Sequence, residues 1–133
     1  ESTGSLVDFA AAGNWYRKAA ERGMAQAQNN LGVLYANGLI APGYNGFGAE
    51  HWLAMAAAQG FADVQFNLGS LYERGEAIPA DPVRALAWFI LAARQGHGGA
   101  LTLADALQAA LTPAQLSQAN TLLESGTLVP VSR

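Results

Sequence analysis

The stretch WYRKAAERGMAQAQNNLGVLYANG, residues 15–38, returns 37 residues later as WLAMAAAQGFADVQFNLGSLYERG, residues 52–75. The two share 12 of 24 positions without a gap, and a third copy over residues 88–111 keeps 6 of 24 against the second. Trp15, Trp52 and Trp88 mark the step, as do Gly23, Gly60 and Gly96 and the pairs Ala19–Ala20, Ala56–Ala57 and Ala92–Ala93. Self-similarity at a fixed period of this length means an array in which each unit is one supersecondary element packed on its neighbours.

Each period splits into two helical segments. Ala12, Trp15, Tyr16, Ala19 and Ala20 follow an i, i+3, i+4, i+7, i+8 pattern and share one helical face, with Asn14, Arg17, Lys18 and Glu21 opposite. Arg22–Gly23 closes that segment. The next runs from about Ala25 to Asn37 with Ala27, Leu31, Leu34 and Tyr35 as its apolar stripe, and stops at Gly38. Gly32 and Gly69 sit inside this helix, where glycine costs about 1 kcal/mol relative to alanine. That cost is tolerable where a neighbouring helix comes close. Thr112 and Pro113 form an N-cap and a first helical position for a last segment to about Glu124, with Ala114, Leu116, Ala119, Leu122 and Leu123 on one face.

At these residues the chain resembles the Sel-one-like repeat, a relative of the tetratricopeptide repeat. The resemblance covers roughly residues 8 to 111 and is carried by WYRKAAERGMAQAQNNLGVLYANG (15–38), FNLGSLYERG (66–75), MAAAQG (55–60) and LAARQGHGGA (91–100). It implies an all-α, right-handed α-solenoid of stacked antiparallel helix pairs. The chain then reads as one domain, 1–133: an orphan helix about 8–22, repeats about 24–59 and 61–95, a degenerate last repeat and cap about 98–125, and a frayed tail 127–133. The orphan is the second helix of a pair whose first is absent, suggesting a longer array. In the third copy Asp105, Gln108 and Leu111 replace the helix glycine, the tyrosine and the closing glycine, as suits a terminal repeat. The glycine-rich loop LIAPGYNGFG, residues 39–48, is the expected mobile segment.

Composition narrows the function. The 133 residues are 51% hydrophobic and 13% charged, with a net charge of −3 and no cysteine, which excludes disulfide scaffolds, zinc ribbons and thiol nucleophiles. Seven Lys and Arg against ten Asp and Glu argue against a nucleic-acid partner. The longest fully apolar run, Ala85–Ala93, is far too short to insert into a membrane. His51 and His97 read as surface or turn residues, and a hydrolase would have to use one of them. Glu73, Glu76 and Asp81 gather near Gly75 without the spacing of a calcium loop and read as a solvated acidic turn. No cofactor, metal or catalytic residue is expected.

The resemblance implies a non-catalytic protein–protein interaction module of a bacterial protein, an adaptor, scaffold or regulator in signalling or at the envelope, with a periplasmic or envelope location favoured. It places the binding groove on the concave face, lined by the first helix of each pair: Gln26, Asn29, Val33 and Asn37, then Asp63, Phe66, Ser70, Glu73 and Arg74. Helix geometry agrees, since Asn29, Val33 and Ala36 lie opposite Ala27, Leu31 and Leu34. Asn30 and Asn67 repeat at one place and read as braces. A second surface follows from asymmetry: the outward Arg17, Lys18 and Glu21 become Ala54, Met55 and Ala58, then Ile90, Leu91 and Arg94. Met55, Ile90 and Leu91 either lie under the capping helix or form an exposed patch for a partner or a second copy. The rival reading is a glycan- or peptidoglycan-associated envelope module that stacks sugars on Tyr44, Phe47 and Phe66.

Overall fold

Alternating small and large apolar residues dictate closely stacked helices, and the computed structural model has them. It describes residues 2–38, 48–126 and 128, and of residues 2–10 only the backbone. The elements are α1 (Ser2–Glu21), α2 (Ala25–Ala36), α3 (Ala49–Ala58), α4 (Ala62–Arg74), α5 (Pro82–Arg94), α6 (Gly98–Ala110) and α7 (Pro113–Ser125). The described residues contain no strand. Each helix packs on the next through α6, and α7 turns back to lie on α5. α1 begins well before the expected Asp8, while α2 and α4 match the expected first helices to within a residue. The expected mobile loop lies outside the described residues except for Gly48.

The repeat glycines act through what they admit. A Cβ on Gly32 would stand 2.6 Å from Leu53 Cγ, and one on Gly69 would stand 2.7 Å from Phe89 Cε1. Leu53 and Phe89 occupy the same position in successive second helices, so each helix glycine receives the side chain from the same repeat position of its partner helix. Both are at most 1% exposed. Gly75 ends α4 at φ 71, a left-handed conformation open to glycine, and a Cβ there would stand 2.7 Å from Ala80 Cβ.

The starts of α5, α6 and α7 carry side-chain caps, whereas those of α2, α3 and α4 have none. Asp81 accepts from Arg84 N at the head of α5, His97 Nδ1 accepts from Ala100 N at the head of α6, and Thr112 forms a capping box with Gln115 at α7. The main core gathers Leu53, Leu68, Tyr72, Leu86, Trp88 and Phe89 with the alanines between them. A smaller cluster holds Ala20, Ala27, Leu31 and Trp52. Leu128 belongs to the main core and its carbonyl accepts from Arg84 Nη1 at 2.8 Å; the rest of the expected frayed tail, Thr127 and 129–133, lies outside the described residues.

One expectation fails at the first repeat. Trp15 shares the apolar face of its helix with Tyr16, Ala19 and Ala20, a face expected to pack, but it is 76% exposed. Trp52 lies against α1 and α2, and no described helix lies on the corresponding side of α1.

Candidate interaction surface

The expected groove residues divide between free and engaged. On α2, Gln26 is exposed and donates through Nε2 to Asn30 Oδ1 at 3.2 Å. Asn29 is half-buried, and its Oδ1 is buried without a hydrogen-bond partner. Val33 and Asn37 are exposed. On α4, Asp63, Glu73 and Arg74 are exposed and Ser70 is half-buried. Gln26 and Asp63 come together at a cavity of about 300 Å³ between the first turns of α2 and α4, whose other lining residues are Ala25, Phe61, Ala62 and Val64. Phe61 is 54% exposed and was missed, because it precedes the helix and breaks no periodic pattern.

Phe66 is half-buried, not an open platform. Its ring stacks on His97 with centroids 4.4 Å apart and meets Phe89 at 5.8 Å. His97 Nε2 lies 3.4 Å from Asp63 Oδ1 while its Nδ1 caps α6. His97 therefore ties the third repeat to the second, the turn-packing place expected of it. His51 lies edge-on to Trp52 at 5.2 Å. Tyr44 and Phe47 lie outside the described residues, so Phe66 is the one described member of the expected sugar platform. Its contacts with Phe89 and His97 lend that reading no support.

Within the acidic turn, Asp81 pairs with Arg84 at 3.3 Å, while Glu73 and Glu76 face solvent. Among the described residues no group of three His, Cys, Asp or Glu is placed to hold a metal ion. Met55, Ile90 and Leu91 are half-buried. Ile90 and Leu91 pack against the main core together with Leu116, Leu122 and Leu123 of α7. Ala54, expected to point outward, is fully buried, because the second helix is enclosed on more sides here than in the first repeat.

The braces of the array are glutamines that pattern reading passed over. Gln28 Nε2 donates to the Ala20 carbonyl at 3.1 Å, and Gln65 Nε2 donates to that of Ala57 at 3.0 Å. Their Oε1 atoms accept from Gln59 and Gln95, each at 2.9 Å. Asn30 only receives Gln26, and Asn67 is exposed. Both bracing glutamines were among the twelve identities. A polar side chain repeated between apolar positions was the available signal.

Tyr72 is buried, and its hydroxyl donates to Glu50 Oε2 at 2.7 Å. Burial, with the Glu50 carboxylate beside it, pushes this hydroxyl far above its ordinary value of 10.0. The unfolded chain releases this proton above about pH 10 while the folded chain holds it, so stability falls as pH rises from there. Alkaline thermal melts should show this fall, and Tyr72→Phe should flatten it. An unchanged slope in Tyr72→Phe would assign the alkaline loss to other groups.

Comparison with known proteins now places the chain. The family model described as Sel1 repeat matches residues 1–24, 25–61 and 62–97, and the chain belongs to the Sel1-repeat family. Members of this family are generally protein-interaction modules and typically non-catalytic. Among solved structures, a protective antigen of uropathogenic Escherichia coli strains displaying an SLR fold is similar, with a TM-score of 0.69 and 32% identity over 85% of this chain. A Sel1 repeat protein from Oxalobacter formigenes matches with a TM-score of 0.57 and 34% identity over 69% of this chain. The chain spans 24% of the first protein's length and 37% of the second's. The search of curated proteins finds no significant match. No described helix is long and apolar enough to cross a membrane.

Proposed function

We propose that this domain is a non-catalytic module that holds an extended peptide segment of a partner protein along α2 and α4. The observation that carries the reading is the cavity where Gln26 and Asp63 meet beside the exposed ring of Phe61. From there Val33 and Asn37 on α2 and Glu73 and Arg74 on α4 continue as exposed side chains. Amides suit a peptide backbone because each offers a donor and an acceptor, and Phe61 offers apolar contact for a side chain. Asn29 Oδ1, buried and unpaired, is an acceptor that a peptide N–H would satisfy.

Site-specific photo-crosslinking in cells tests this. Crosslinkers replacing Val33, Asn37 or Arg74 should capture the same partner, whereas crosslinkers at Glu21 and Arg94 on the second helices should not. Capture from Glu21 and Arg94 alone would overturn the groove reading.

A further inference from the structure

Charge is unevenly placed along the proposed peptide path. α2 carries no charged residue, whereas α4 carries Asp63 in its first turn and Glu73 and Arg74 in its last. The step from Asp63 to Arg74 brings the two within about 20° of one line on α4, about 16 Å apart along its axis. Glu73 stands about 80° round the helix from Asp63, near the line of Phe66. Opposite charges at the two ends of a helix also suit its dipole, but that use leaves both groups open to a partner. The Asp63 side chain is 93% exposed, with His97 Nε2 3.4 Å from its Oδ1. Arg74 is exposed and makes no ion pair among the described residues.

The cavity at the Asp63 end presents acceptors. Gln26 turns its Nε2 to Asn30, which leaves Oε1 as its free acceptor, and Asp63 is the one charged residue of the lining. Phe61, 54% exposed, adds an aromatic face. A carboxylate, an amide oxygen and a ring around one hollow fit a guanidinium or ammonium on an apolar stem. The first-turn N–H groups of α2 and α4 have no side-chain cap and remain for the carbonyls of the same peptide. Between the two charged ends stands Val33 on α2, 41% exposed.

We propose that the peptide segment held along α2 and α4 places a basic side chain in the Gln26–Phe61–Asp63 cavity and an acidic side chain at Arg74, four or six residues away, with an apolar residue between them against Val33. This names the partner chemistry of the groove and rests on the groove reading. An extended chain advances about 3.3 Å per residue, so about 16 Å takes roughly five residues, and only an even spacing puts both side chains on one side of the strand.

The probes are the synthetic peptides GSRTVTESG and GSRTVTVTESG, labelled at the N-terminus and amidated at the C-terminus. They are titrated into the whole chain at low salt and followed by fluorescence anisotropy. At least one should bind saturably, and replacing its arginine or its glutamate by glutamine should weaken binding about two- to fivefold, as for ion pairs at a rim. Added salt should erase that difference. Asp63→Arg should reverse the preference, so that the peptide with glutamate in place of arginine binds best; Arg74→Glu should favour the peptide with arginine in place of glutamate. Phe61→Ala should weaken the arginine peptide and leave its glutamine counterpart unchanged. Asp63 and Arg74 are exposed, so circular dichroism and melting curves of both charge variants should match those of the native chain. Equal binding of all charge variants, with a crosslinker at Val33 still capturing the peptide, would overturn the proposal and leave the groove reading standing. Charge-dependent binding captured from Glu21 or Arg94 but not from Val33 would overturn both. No binding at millimolar peptide would overturn the proposal and leave the groove reading to the crosslinks in cells.

Discussion

Trp88→Ala is expected to cost about 3–5 kcal/mol of folding stability, whereas Trp15→Ala changes it by no more than about 0.5 kcal/mol. The two residues are identical and occupy the same repeat position, so neither propensity nor side-chain size separates them. Burial does: Trp88 is 1% exposed and packs in the main core with Leu53, Leu68 and Phe89, while Trp15 is 76% exposed. Truncating Trp88 leaves a cavity walled by close-packed helices, and core alanines such as Ala57 and Ala92 cannot grow to fill it. The buried indole Nε1 has no hydrogen-bond partner, so Trp88→Phe removes an unpaired donor together with some volume and should cost less than Trp88→Ala. Urea titrations of the three variants give the comparison directly. A Trp15→Ala loss as large as that of Trp88→Ala would mean that Trp15 is covered in solution.

The periodic signal made the helices legible because it arises from the same requirement that builds them: each pair must bury one face against its neighbours. Gly32 and Gly69 could be read as close approaches for this reason, and the structure supplies Leu53 and Phe89 as the groups that approach. Trp15 was misplaced because amphipathicity says which face a helix offers, not whether anything lies against it. The groove residues were only partly legible. Helical geometry separates outward from inward positions, but Phe66 is occupied by His97, which arrives from the next repeat through a turn whose direction no helical pattern encodes. The glutamine braces escaped because single-helix patterns count polar residues as solvent-facing. Gln28 and Gln65 are buried polar groups satisfied by partners on two other helices, and that arrangement is visible only once the array is assembled.

Those braces give the second large effect. Gln65 joins the last turn of α3, through the Ala57 carbonyl, to the end of α5, through Gln95. Gln65→Leu substitutes an apolar side chain of similar size and loses both bonds, although the Ala57 carbonyl keeps its bond from Gly60 N, at a cost of about 0.5–1.5 kcal/mol per bond. Gln95→Ala should cost less, since Gln95 is exposed, although it takes the donor from Gln65 Oε1. Gln65→Glu separates hydrogen bonding from packing, because the carboxylate can still accept from Gln95 but cannot donate to Ala57 O. At neutral pH this variant places a charge in a site that is 4% exposed and should be the least stable of the three. Burial raises the introduced carboxyl above its unfolded value, and the protonated acid regains a donor, so acidification should recover stability relative to Gln65→Leu. Equal losses for Gln65→Leu and Gln65→Glu, unchanged by pH, would show that volume rather than the hydrogen-bond bridge holds adjacent repeats together. In an array whose stability is a sum of neighbour terms, breaking the bridge should also broaden the denaturant transition, because the flanking repeats then unfold less as one unit.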